Sequence, residues 1–251
     1  MNSQLNSLDH QITFGRQLIY HFYPGILITL FYLLLSPYLI DKGIPGLGVL
    51  IIAEVAVLAP VALGHLSWQG FKLNGRFSWK DIILYQNKLS WKQYLLWTVL
   101  GMVLILLIYV PLYPVGLWLR ANAFSWLPEW YFNPSYGAAN MDIVANTFLI
   151  GILIDGFVGP IVEELYFRGY LLPRMQYLKK WAPVVNGLFF GLYHFWQPHN
   201  FIATSIVGII LSYIVWKKKN VYLGILIHCI LNVLGSASAY FAISAGIDIT
   251  R

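Results

Sequence analysis

Residues 143–172 read IVANTFLIGILIDGFVGPIVEELYFRGYLL. A membrane crossing needs about 20 mostly apolar residues. This run exceeds that length while carrying Asp155, Glu163, Glu164 and Arg168 inside it. Ionisable side chains within a span are costly in hydrocarbon, so they turn towards protein or water and mark candidate functional positions. Gly156, Gly159 and Pro160 lie in the middle of the run. Pro160 lacks a backbone donor and is expected to kink or break the helix there.

Six further apolar runs flank this one, at Leu18–Ile40, Leu47–Leu66, Leu95–Leu119, Trp181–Phe195, Phe201–Trp216 and Val221–Ala245. Together they predict an all-α membrane protein, a polytopic bundle of seven helices, or eight if Pro160 starts a new one, around an intramembrane polar cavity. The whole chain agrees: of 251 residues 59 % are hydrophobic and 10 % charged, with mean hydropathy +0.66. A soluble domain carries roughly a quarter charged residues, and so apolar and aromatic a chain is not disordered. Residues 1–140 are expected to form N-terminal spans with a cytoplasmic interfacial loop and an outside aromatic loop, and 141–251 the functional helical region. The polar first sixteen residues, with no small-residue cleavage site after them, predict that the first span is retained.

The net charge of +6 does not point to nucleic acid, because the cations sit in short clusters between apolar runs. With a cytoplasmic N-terminus, the inside segments hold Arg16, then Lys72, Arg76, Lys80, Lys88 and Lys92, then Arg174, Lys179 and Lys180, then Lys217, Lys218 and Lys219. The outside segments hold Lys42, Arg120 and Arg251. That asymmetry is the positive-inside pattern and predicts an outside C-terminus. In the inside loop Ser78–Asp81 and Ser90–Gln93 have capping-box spacing, which predicts a short interfacial helix near Trp79–Gln86 and the start of the third span. The outside loop, with Trp126, Trp130, Tyr131, Phe132 and Tyr136, reads as an interfacial aromatic belt; a lid over a substrate groove is the sharper alternative. The single cysteine, Cys229, excludes an internal disulfide and multi-cysteine metal sites.

Three short strings concentrate the polar residues. In Glu163-Glu164-Leu165-Tyr166-Phe167-Arg168, Glu164 and Arg168 stand one helical turn apart and can pair, while Glu163 is rotated by about 100° from Glu164. A buried carboxylate without a cation holds its proton more tightly, as a general base working near neutral pH requires. In Phe190-Gly191-Leu192-Tyr193-His194 the ring and the imidazole share a face. His228 and Asn232 share another, as two donors that suit an oxyanion. Taken singly, each string also fits a packing role: a buried ion pair, a satisfied histidine, interhelical hydrogen-bond glue. Along straight helices Glu163 lies about 16 Å from Arg174, His194 about 21 Å from Lys180 and His228 about 13 Å from Lys219. All three therefore reach the middle third of a hydrocarbon core about 30 Å thick. Glu54 and Asp155 lie outside these strings and read as interhelical contacts or as the lining of a water path. His65, His199 and Cys229 receive no role.

Glu-Glu-x-x-x-Arg, Phe-x-x-x-His and His-x-x-x-Asn, in that order on separate membrane helices, resemble the CPBP intramembrane proteases. That group includes the type II CAAX prenyl endopeptidases and the bacterial Abi proteins. The resemblance covers about Gly159 to Leu234. It implies that Glu163 activates a water with help from His194, that His228 and Asn232 hold the oxyanion, and that Glu164, Arg168 and Phe190 support them. It implies a metal-independent endopeptidase without a cofactor, acting on a hydrophobic or lipidated peptide among membrane lipids. The small chain fits a bacterial plasma membrane, where the resemblance implies a bacteriocin, signalling peptide or leader as substrate, and bacteriocin immunity as a role.

Three alternatives stand beside this reading. Glu163, His194 and His228 are two imidazoles and a carboxylate of the kind that holds zinc with a water, although no His-Glu-x-x-His string occurs. A non-catalytic scaffold or immunity factor would keep the polar cluster for structure alone. A transporter using the cluster as a proton relay would show similar hydrophobic halves, and none are visible.

Overall fold

The computed structural model describes residues 11–247, and these are helical apart from connecting loops and one isolated β-bridge, Gln86 to Asn220. Among the described residues six stretches are long and apolar enough to cross a membrane: Phe14–Asp41, Gly46–Asn74, Trp91–Asn122, Met141–Leu192, Pro198–Lys218 and Val221–Ser244. We name the helices α1 (Phe14–Asp41), α2 (Gly46–Asn74), α3 (Trp91–Asn122), α4 (residues 141–171), α5 (Ala182–Leu192), α6 (Phe201–Lys218) and α7 (Val221–Ser244).

By length and composition these stretches are six against the expected seven or eight, and the difference lies in the fourth stretch. After α4 the chain winds through a tight 3₁₀ segment, Leu172–Trp181, in which Met175 and Lys179 leave helical geometry, Lys179 with a φ of 52°. It then doubles back: Asn186 Nδ2 of α5 donates to the Phe167 carbonyl at 3.1 Å, and the Phe167 and Phe190 rings meet at 5.2 Å. The run expected to span at Trp181–Phe195 contains only α5, 11 residues or about 16 Å of helix. That is too short to cross alone. α5 is instead packed into protein along α6, where a side chain at Gly191 would collide with Ser205.

Pro160 does not break α4. The helix widens into a π turn at Ile154–Val158 and resumes with Pro160 in its first turn. The wide turn removes the clash that a proline ring makes with the carbonyl four residues earlier. α2 repeats the device, with a π turn at Glu54–Leu58 just before Pro60. Each π turn begins with or contains an acid, Glu54 or Asp155, and a third π segment, Glu164–Leu171, follows Glu163. π turns recur at functional sites.

Ser90 caps α3 in the expected box with Gln93. No interfacial helix forms at Trp79–Gln86. Asp81 and Tyr85 adopt positive φ, and the backbone is committed elsewhere: Leu84 N–H donates to Gly169 O at 2.8 Å and Asn87 N–H to Lys219 O at 2.9 Å. Arg174, expected as a loop cation, is buried and staples this loop by donating to the carbonyls of Ile82, Asp81 and Tyr170. Lys219 lies over the Tyr85 ring and donates to its hydroxyl at 3.0 Å. Burial holds the Lys219 ammonium below its ordinary pKa and pushes the Tyr85 hydroxyl up to about 12.

At the opposite end the aromatic loop braces the turn between α5 and α6. Tyr131 donates to Phe195 O at 2.8 Å, and Phe132 meets His199 edge-on. Trp126 stays 75 % exposed, as a lipid-interface residue does. The start of α1 sits at the Arg174 end, where Ile12 N–H donates to Arg174 O, while Ile243 near the end of α7 packs with Val144 at the other. Two of the apolar clusters join the spans at mid-bundle. Ile28, Leu66, Tyr166 and Phe167 join α1, α2 and α4, while Ile105, Leu211 and Ile227 join α3, α6 and α7.

Candidate active site

Between these cores lies a cavity of about 700 Å³. Its walls are mostly apolar, with Leu50 and Ile51 of α2, Leu106 of α3, Phe148 of α4 and Leu231 and Leu234 of α7. Its polar lining includes Glu54, Asp155, Glu163, His194, His228 and Asn232. No residue of the outside aromatic loop, all of it among the described residues, lines the cavity. The loop packs instead against Trp196, which does line it.

The helical rotation between neighbours divides the two glutamates as expected. Glu163 points into the cavity. His194 Nε2 stands 3.8 Å from its Oε1, and His228 Nε2 stands 3.8 Å from its Oε2. Glu164 points the other way and is wholly buried. Its Oε1 pairs with Arg168 Nη1 at 3.1 Å, one turn along, and accepts from His228 Nδ1 at 3.0 Å. His228 thus joins the two carboxylates.

Tautomers follow from the acceptors. A carbonyl and an ion-paired carboxylate only accept. His194 Nδ1 therefore carries the hydrogen it donates to Phe190 O at 2.7 Å, and the neutral ring turns a lone pair at Nε2 to Glu163. His228 Nδ1 likewise carries the hydrogen it gives Glu164. Phe190 serves twice: its carbonyl orients His194, and its ring lies 3.8 Å beneath the Arg168 guanidinium.

Arg168 is the root of the cluster. Fully buried, it donates from Nε to Ser212 Oγ at 3.3 Å and from Nη2 to Gly208 O at 3.4 Å. Ser212 donates to Asn186 Oδ1 at 2.8 Å, and Asn186 donates to His21 Nε2 at 3.0 Å. His21 Nδ1 in turn donates to Gln17 O. One buried polar chain thus joins α1, α5, α6 and α4 to the site. Asn186, Ser212 and His21 carried no signal in the sequence, since their partners are remote in the chain.

Asn232 shares the cavity wall, but its amide donates to Asp155 O at 2.9 Å, leaving one N–H for another acceptor. Asp155 accepts from Ser236 at 3.1 Å. Glu54 lies across from Gly159 of α4. Tyr193, named in its string only as a neighbour of His194, donates its hydroxyl to Glu163 Oε1. Cys229 is buried. Among the described residues no group of three or more His, Cys, Asp or Glu side chains is arranged to hold a metal ion. The imidazoles of the site have their Nδ1 atoms engaged by Phe190 and Glu164, and their Nε2 atoms face Glu163.

The fold and the site together define an integral membrane protein with a buried carboxylate–imidazole cluster facing a largely apolar cavity. A family model described as type II CAAX prenyl endopeptidase Rce1-like, a protease family, matches residues 145–234. That segment contains every residue of the three strings, and the resemblance drawn from them is thereby shown for it. No curated protein and no solved structure matches the chain.

Proposed function

We propose that the protein is an intramembrane endopeptidase that hydrolyses a peptide bond in a membrane-associated or lipid-modified peptide with a glutamate-activated water. The observation that carries this reading is the Glu163 carboxylate, held 3.8 Å from each of two imidazoles within a cavity walled by apolar side chains. A water beside Glu163 donates one hydrogen to the carboxylate and the other to the free Nε2 of His194, turning a lone pair to the scissile carbonyl. Glu163 takes the proton as the water oxygen attacks. The oxyanion then draws on His228 Nε2–H and the remaining N–H of Asn232. Because Glu164 takes the Nδ1 hydrogen, a donor role for His228 uses a second hydrogen at Nε2, on the side that faces Glu163. Collapse of the tetrahedral intermediate breaks the C–N bond, and Glu163 passes its proton to the leaving amine.

Residues 141–251 are the catalytic region in this reading, and 1–140 complete the walls. The lysine- and arginine-rich end faces the cytoplasm, with the N-terminus inside. This reading extends to a bacterial plasma membrane, with a bacteriocin, signalling peptide or leader as substrate and bacteriocin immunity as a role.

The test is comparative peptidomics of membrane and secreted fractions from cells carrying the wild type or Glu163→Ala at equal abundance. A peptide present only with the wild type, its precursor accumulating in the variant, is the expected result. Identical profiles with an unchanged phenotype would remove Glu163 as the base and favour a scaffold.

A further inference from the structure

The geometry points to Tyr193 as a positioning residue for the Glu163 base: its hydroxyl holds Oε1, the carboxylate oxygen that faces His194, and so sets the angle of the carboxylate towards water and the imidazoles. This inference rests on the reading of Glu163 as the base.

Among the described residues, Tyr193 is the side chain that hydrogen-bonds Glu163. The two imidazoles stand at 3.8 Å, outside hydrogen-bonding range. They face the carboxylate without holding it. A glutamate side chain has three soft torsions, and a base misplaced by about 1 Å loses about 100-fold in rate. A group that fixes the carboxylate before substrate arrives is therefore a requirement of the reading, and Tyr193 supplies it.

Tyr193 is itself fixed at every point. It is fully buried, whereas Glu163, His194 and His228 keep 7–8 % of their surface exposed. Its ring is enclosed by Phe167 at 4.8 Å, Phe190 at 5.6 Å and Trp196 at 5.1 Å. Its carbonyl accepts from Phe195 N–H at 2.8 Å. α1 presses on it from behind: a methyl group at Gly25 would run into the Tyr193 carbonyl oxygen and ring. Since Tyr193 has no exposed surface, it acts through Glu163.

The experiment uses the full chain in proteoliposomes and, as probe, the peptide singled out by the Glu163→Ala comparison, made as an internally quenched substrate. Tyr193→Phe keeps the ring and removes the hydroxyl. The expected result is a fall in kcat of about 10- to 100-fold, the range spanned by loss of a hydrogen bond to a charged group, with KM unchanged within about twofold. Thermal unfolding should match the wild type. Wild-type kcat in Tyr193→Phe beside an inactive Glu163→Ala overturns the inference and leaves Glu163 as the base. A raised KM at full kcat also overturns it. A fully active Glu163→Ala, or no Glu163-dependent peptide at all, removes the base reading and this inference with it. A measurement that needs no variant at Tyr193 is the infrared phenol C–O band of ¹³C-labelled tyrosine, compared between wild type and Glu163→Gln. One tyrosine band should shift, and an unshifted spectrum would show that the hydroxyl does not engage Glu163.

Discussion

Replacing Arg168 by methionine should destabilise the protein by about 3–5 kcal/mol, the cost of breaking a buried ion pair from one side. Both Arg168 and Glu164 have no exposed side-chain surface and pair at 3.1 Å. The substitution also leaves the Ser212 hydroxyl and the Gly208 carbonyl without their donors, and it removes the cation 3.8 Å above the Phe190 ring. What remains for the Glu164 charge is the hydrogen from His228 Nδ1. The energetic weight therefore lies in the stranded carboxylate. The double variant Glu164→Gln, Arg168→Met removes both charges and should recover most of the loss, because exchanging a whole buried pair for neutral groups is often neutral or better. Activity should not return with stability, since His228 has lost the carboxylate that fixes its ring. Denaturant titration of wild type, single and double variants in one detergent gives the two differences, and turnover of the Glu163-dependent peptide gives the third. A single variant within about 1 kcal/mol of the wild type would mean that the pair is screened by water and that the cluster is not rooted in Arg168. A double variant as unstable as the single one would place the cost in lost packing.

Glu163→Gln should lower turnover by about 10²- to 10⁴-fold, the contribution of a positioned general base, with little change in thermal unfolding; measurable wild-type turnover would refute the assignment. Prolonged chelation of the purified protein, followed by assay and metal analysis, should leave turnover unchanged; loss on chelation and recovery with zinc would establish the metal alternative. Burial raises the Tyr85 hydroxyl to about 12 in the folded protein, against about 10 in an unfolded chain. Its contribution to stability is thus complete below about pH 10 and is lost as pH rises through about 12. Denaturant midpoints measured across that window should fall less steeply in Tyr85→Phe, and equal slopes would show that Tyr85 does not carry the effect.

What was legible in the sequence was what depends on neighbours within a turn or a span. Apolar runs mark hydrocarbon-length helices whatever their partners, because the cost of exposing backbone and charge to lipid is paid by each segment separately. The Glu164–Arg168 pair and the divergence of Glu163 from Glu164 follow from helical rotation alone, and the structure has both. The capping box at Ser90 is equally local.

Relations between segments distant in the chain were settled only by the tertiary structure. Ser78–Asp81 has the same spacing as the box at Ser90, yet its segment stays a loop because Gly169 and Lys219 offer it backbone acceptors from elsewhere. The run at Trp181–Phe195 has the composition of a span. It doubles back along α4 because its polar residues, Asn186 and His194, meet partners within the protein. His228 and Asn232 do sit one turn apart, but their partners, the Glu164 carboxylate for His228 and the Asp155 backbone carbonyl for Asn232, were fixed by α4 packing against α7. Tyr193 looked like one aromatic residue among many. Its hydroxyl acquires a purpose only where α1, α4 and α5 meet, because a hydrogen bond across 30 residues of chain depends on the path of the backbone between its ends.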